Sequence, residues 1–162
     1  MQPRVFLLFV AVINVGVCLD LDGFCSNGWK YFEGICYFYG NTNVTWEEAK
    51  AKCQSLDSTL AEVPSEDVNV FLGSKIVYPH YDDCACAWLG GNDFSEEGTF
   101  KWASGVTPFS FTYWWGGEPN NAEGGQDCLQ LLKRYNYMWD DTDCHKTCNY
   151  ICQRKVSIHI PW

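Results

Sequence analysis

The chain has 162 residues, enough for one ordinary domain with its own core. It carries 20 acidic against 11 basic residues, and a net charge of −9 argues against nucleic acid or anionic membranes as partners. Ten cysteines exclude an ordinary cytosolic protein and point to an oxidising compartment.

Met1 to Arg4 is a short positive start, and Val5 to Val17 is an apolar run interrupted by Asn14. That run is short for a bilayer span. Small residues and then Asp20 and Asp22 follow, so residues 1–18 read as a secretory signal peptide, giving a secreted, extracellular protein without a membrane segment. Trp29, Tyr31, Ile35 and Tyr37 alternate around Glu33-Gly34, which predicts a hairpin stapled by Cys25 and Cys36. Asn43-Val44-Thr45 is a glycosylation sequon placed on a surface loop, with Asn43 as acceptor. Thr45 and Glu48 form a capping box, and Trp46, Ala49, Cys53, Leu56 and Leu60 line one face of the helix it starts. Cys53 on that buried face calls for a partner on a core strand.

Pro64-Ser65-Glu66-Asp67 starts a second helix, with Val68, Phe71 and Leu72 facing inward. Val77 to Cys86 reads as a loop, where irregularly spaced His80, Cys84 and Cys86 favour a disulfide over zinc. Strands are expected at Ala87–Gly91, Thr99–Trp102, Cys128–Leu132, Tyr137–Trp139 and Asn149–Gln153, and Phe109–Trp115 is β-prone. Helices followed by strands predict an α+β domain. Aromatics are 17% of residues, with eight Trp, so the core is expected to be built on large rings. There are no repeats or linkers, and residues 155–162 form a short tail.

Oxygen-bearing side chains crowd a Gly-rich loop: Glu118, Asn120, Asn121, Glu123, Gln126 and Asp127. After a strand-length run come Asp140, Asp141 and Asp143, and Cys128 and Cys144 bracket that strand. Calcium takes roughly six to eight oxygens, several of them carboxylates, on backbone able to curl round the ion. Loop and strand together read as a calcium site.

From Cys25 through Arg154 the chain resembles a C-type lectin-like domain. The resemblance is carried by the Cys25/Cys36 hairpin, the Trp46 helix with Cys53, Ala87-Trp88-Leu89-Gly90, Trp114, Glu118-Pro119-Asn120, Cys128, Trp139-Asp140-Asp141, Cys144 and Cys152. It implies a C-type lectin-like fold, two helices flanking a small antiparallel β-sheet with a long calcium-binding loop region. It also implies disulfides Cys25–Cys36, Cys53–Cys152 and Cys128–Cys144, each worth roughly 2–5 kcal/mol. The carbohydrate-recognition domain is then 25–154. The primary calcium and carbohydrate ligands implied are Glu118, Asn120, Gln126, Asp140 and Asp141, with a cis bond before Pro119. The family usually carries Glu at the position of Gln126 and Asn at that of Asp140. The exchange leaves the formal charge unchanged, since Glu118, Asp140 and Asp141 still total −3. Glu123 is an alternative ligand.

Glu-Pro-Asn resembles the version preferring mannose, N-acetylglucosamine and fucose, and no aromatic follows it, unlike the galactose version. The resemblance also implies an auxiliary calcium site at Asp93, Glu97, Asn121 and Asp127. Trp115 is a candidate sugar platform, with packing beneath the loop as the alternative reading. Cleavage after Cys18 leaves nine of the ten cysteines. Cys84, Cys86 and Cys148 remain after the implied pairs, so Cys148 is expected to pair with Cys86 or Cys84, leaving one thiol free or linking a homodimer. The expected function is a secreted, calcium-dependent, mannose-type lectin acting on microbial or cell surfaces in innate defence, and not an enzyme. The alternatives are a lectin-like domain binding a protein without calcium, and a galactose-preferring lectin.

Overall fold

The computed structural model describes residues 24–80, 85–105 and 109–156. The signal peptide, Cys84 and residues 157–162 of the tail lie outside them. In chain order the elements are β1 (Lys30–Phe32), β2 (Ile35–Val44), α1 (Trp46–Gln54), β3 (Thr59–Leu60) and α2 (Glu66–Phe71). They continue with β4 (Cys86–Asn92), β5 (Lys101–Trp102), β6 (Cys128–Leu132), β7 (Met138–Thr142) and β8 (Cys148–Lys155). The sheet runs β1-β2-β8-β4-β6-β7, with β3 added to β8 and β5 to β4. No described helix is long and apolar enough to cross a membrane.

The α+β architecture and the two helices match expectation, but the sheet is mixed. β4 and β8 run parallel, with Ala87 opposite Asn149 and Trp88 opposite Tyr150. The long connection between them permits that sense, which a tight turn would not. β8 also runs through Lys155, paired with Ile35, one residue beyond the boundary placed at Arg154.

α1 opens on the capping box: Thr45 N–H donates to Glu48 Oε2 at 2.9 Å, and Glu48 N–H to Thr45 Oγ1 at 3.4 Å. Trp46, Ala49 and Cys53 are buried, and Cys53–Cys152 bolts the helix to β8. The helix ends at Gln54, short of the Leu60 that the spacing suggested. Asp57 takes a left-handed φ of 50°, and the Cys53 carbonyl accepts from Leu56 N–H, Ser58 N–H and Ser58 Oγ. A left-handed residue closing the last carbonyls is a helix stop. Leu56 is therefore exposed, and Leu60 is buried in β3.

Ser65 caps α2, and Val68 and Leu72 face the core as expected. The chain then continues as a π-helical stretch, Leu72–Val77, and a 3-10 turn, Tyr78–His80, so the segment read as loop is helical as far as His80. Gly73 lies under the Tyr137 ring, where a Cβ would stand 2.4 Å from a ring carbon. Phe109–Trp115 contributes only one bridge, Trp114 to Trp139. A turn closed by Glu118 N–H on Trp115 O, with Gly117 at φ 99°, draws the chain away from β7.

The implied disulfides Cys25–Cys36, Cys53–Cys152 and Cys128–Cys144 are present, and Cys148 pairs with Cys86. Asn43 lies at the exposed, irregular end of β2 rather than on a loop. Its Oδ1 accepts from Asn149 Nδ2 at 3.1 Å.

Beneath the acidic loop, the Trp139 indole is fully buried and meets the rings of Trp102, Phe109, Phe111 and Trp114 edge-on. Its Nε1–H donates to Asn69 Oδ1 at 2.8 Å, and Asn69 Nδ2 donates to Tyr137 O at 3.3 Å. One buried amide thus ties α2 to the strand that carries Asp140 and Asp141. Replacing Asn69 with Ala strands a buried indole donor, and should destabilise the fold by about 1–3 kcal/mol in urea denaturation. An unchanged midpoint would remove Asn69 as a tether.

Candidate metal centre

Three carboxylates converge at the end of the sheet. One oxygen from each of Glu118, Asp140 and Asp141 lies within 4.8 Å of the others. Asp140 and Asp141 are successive residues of β7, so they leave the strand on opposite faces. Asp141 is buried and accepts two loop amides, Asn120 N–H at 3.1 Å and Asn121 N–H at 2.7 Å. Asp140 is half-buried, and its Oδ2 accepts from Gln130 Nε2 at 2.6 Å. Gln130 stands directly opposite it on β6. Glu118 reaches the cluster from the loop, just before the cis bond to Pro119.

The remaining loop is clasped by its own side chains. Asn121 Oδ1 accepts from Gly125 N–H at 2.6 Å and Gln126 N–H at 3.0 Å. Ala122 N–H is shared between Asn120 Oδ1 at 2.7 Å and Gln126 Oε1 at 2.5 Å. Asn121, Glu123 and Gly124 take left-handed φ values of 45°, 63° and 70°, which curl the segment back on itself. Asn120 and Gln126 therefore meet at one amide, each with a second lone pair for another partner. Glu123 is exposed and falls outside the three-carboxylate cluster.

Of the auxiliary residues, Asp93 and Asp127 meet through their backbones beside this loop, while among the described residues the three-carboxylate group is Glu118, Asp140 and Asp141 alone. Asp93 is buried, its Oδ2 accepts from Gly98 N–H at 2.8 Å, and its own N–H donates to Asp127 O at 3.2 Å. Burial, above all, and then the charges of Asp127 and Asp141 hold the Asp93 carboxyl above its usual range. Glu97 is raised by desolvation and by Asp93 and Asp127. Asn121 differs from these, because its oxygen serves the loop backbone.

Two buried side-chain oxygens lack a hydrogen-bond partner among the described residues, Glu118 Oε2 and Asp93 Oδ1. A buried carboxylate oxygen without a donor is costly, and a bound cation satisfies it. One such oxygen falls at each candidate site. Desolvation, contact with Asp141 and the charge of Asp140 push Glu118 from its ordinary 4.5 up to about 7. Asp140 is raised chiefly by burial, and partly restrained by the Gln130 hydrogen bond. The donor set of carboxylates and amides suits a hard divalent ion rather than a thiolate-seeking one.

Asn69, Gln130 and the tilted ring pair Trp115–Tyr135 were not legible in the sequence as parts of this region, apart from Trp115 as a platform. Gln130 left one signal, a lone polar residue inside the apolar strand Cys-Leu-Gln-Leu-Leu.

Residues 42–154 match the family model for the lectin C-type domain. Lectin BRA-3 of Megabalanus rosa is 32% identical over 161 residues, covering 96% of this chain and 91% of its own. The hepatic lectin of Gallus gallus is 32% identical over 132 residues, 81% of this chain and 60% of its own. The solved structure of C-type lectin CEL-I from Cucumaria echinata superposes with a TM-score of 0.76 at 26% identity, covering 82% of this chain and 99% of that one. Against several curated relatives the chain spans 30% to 60% of their length.

A folded state that binds more protons than the unfolded chain loses stability as pH rises. Glu118 is such a group, so with chelator present its contribution is complete below about 4.5 and fades as pH rises towards 7. The metal-free melting temperature should fall across that window, and Glu118→Gln should flatten the fall. An identical slope in the variant would mean that Glu118 is not crowded as described.

Proposed function

The chain belongs to the C-type lectin family, whose domains bind carbohydrate and are not enzymes, and on that premise we propose a secreted, calcium-dependent lectin for mannose-type glycans. The observation that carries this reading is the convergence of Glu118, Asp140 and Asp141 within 4.8 Å, with Glu118 Oε2 buried and unpartnered. Those three carboxylates, with the amide oxygens of Asn120 and Gln126, would hold the calcium ion. When bound, the ion supplies open coordination places for two neighbouring sugar hydroxyls. The protein's part is orientation: a hydroxyl donates to a carboxylate and accepts from an amide N–H. Glu118 with Asn120 forms one such pair, and Asp140 with Gln126 the other. Asp93, Glu97 and Asp127 would hold a second ion, next to a loop that Asn121 keeps closed.

Glu-Pro-Asn at 118–120 favours the paired hydroxyls of mannose, N-acetylglucosamine and fucose. Recognition of microbial or cell-surface glycans follows by family analogy.

A glycan array run with calcium and then with chelator tests the proposal. Mannose-type ligands should be retained only with calcium, and eluted by mild acid as the carboxylates take protons. Gln126→Ala should weaken sugar binding. Gln130→Ala, which frees Asp140 from its orienting donor, should lower calcium affinity about tenfold. Sugar binding that survives chelator would overturn the calcium role. Binding of a protein partner alone, equally well in chelator, would favour a lectin-like domain that ignores sugar.

A further inference from the structure

We propose that Trp115 and Tyr135 form a second sugar subsite, receiving the next pyranose ring of an oligosaccharide whose first ring is held at Glu118, Asp140 and Asp141. The inference rests on the reading of that primary site. Its own basis is the placement of two aromatic rings. Trp115 is 38% exposed and Tyr135 is 44% exposed, and their centroids lie 4.5 Å apart at 31°. Among the described tryptophans, Trp29, Trp46, Trp88, Trp102 and Trp139 are buried and Trp114 is partly buried, whereas Trp115 is exposed.

Backbone pairing decides which way Trp115 faces. Trp114 bridges Trp139 in parallel, Trp139 N–H donates to Tyr113 O, and Trp115 N–H donates to Trp139 O. Side chains alternate across such a ladder. Trp114 and Trp139 point into the core together, so Trp115 shares the opposite face with Asp140. The turn closed by Glu118 N–H on Trp115 O then brings the chain to the first ligand three residues later. Tyr135 comes from the connection between β6 and β7, at the other end of the strand hairpin that holds Gln130 and Asp140. The pair therefore borders the acidic cluster on the face carrying Asp140.

Size decides the class of occupant. Trp and Tyr each bury roughly 150–250 Å² when fully enclosed. At the observed exposures the pair offers on the order of 150–200 Å² in total. A specific protein interface needs about 800 Å² per partner. The exposed area suits one face of a pyranose, whose C–H groups form an apolar surface while its hydroxyls stay in water. The flanking carboxylates favour a neutral ring over an anionic one.

The test is calorimetric titration of the full chain in calcium with methyl α-mannoside and with a mannotriose. The unaltered chain should bind the trisaccharide about two- to tenfold tighter than the monosaccharide, the increment expected of one or two aromatic contacts. Trp115→Ala and Tyr135→Ala should each lose that increment and leave the monosaccharide affinity within about twofold. Tyr135→Phe should keep it. If the variants bind the trisaccharide as well as the unaltered chain does, the subsite is overturned while the primary site stands. Equal losses for both sugars would also overturn it, making Trp115 a support of the loop. No calcium-dependent binding of either sugar by the unaltered chain would overturn both readings.

Discussion

A single carboxylate fastens the acidic loop to the sheet. Asp141, almost fully buried, accepts the successive amide N–H groups of Asn120 and Asn121. That pair of bonds fastens an irregular Gly-rich loop to the regular strand β7. The loop has no ladder partner of its own, so its backbone polarity is met by the side chains of Asn120, Asn121 and Gln126. Charge-assisted bonds of this kind are roughly twice as strong as neutral ones. Through Asp141 the loop inherits the rigidity of the sheet, and Glu118 is brought to its place beside Asp140.

That arrangement is electrostatically unfavourable by itself. Like charges within 4.8 Å of one another repel by roughly 3–4 kcal/mol or more per pair at an effective dielectric near 20. Burial first, then contact with Asp141 and the charges of Asp140 and Asp141, push Glu118 up to about 7. The structure around the cluster is built to withstand it. Trp139 anchors β7 in a nest of aromatic rings, Asn69 ties it to α2, and Cys128–Cys144 joins the start of β6 to the residue two beyond β7. Stiffness below and crowding above belong together, because a looser scaffold would relax by letting the carboxylates part.

Much of this could be read from sequence wherever the chemistry is local. Thr45 and Glu48 lie three residues apart, and their capping box needs nothing from the rest of the chain. Glu118-Pro119-Asn120 and Asp140-Asp141 are contiguous motifs, and one oxygen from each of their three carboxylates lies within 4.8 Å of the others. The end of α1 was not legible, because Leu56 and Leu60 continue the helical spacing while the stop depends on Asp57 turning left-handed. Asn69 and Trp139 are 70 residues apart, and nothing in either run marks the other as its partner. The parallel pairing of β4 with β8 is likewise a property of the folded topology. Trp115 could be read as a sugar platform, but nothing in the sequence marked Tyr135, which reaches it from the turn between β6 and β7.

The exchange at Gln126 and Asp140 bears on what the crowding is for. Folding alone would favour neutral side chains here, since each carboxylate removed from the cluster relieves repulsion and desolvation. A site with no ion to hold therefore gains stability by losing charge. This chain has an amide at 126, but a carboxylate at 140, where the family pattern has an amide. The total stays at −3, and the added carboxylate is fitted with a donor, Gln130, directly across the strand pair. Gln130 orients one oxygen of Asp140 and offsets part of its burial. A carboxylate on the strand, held by the Gln130 donor and keeping the sum at −3, accords with the proposed cation site.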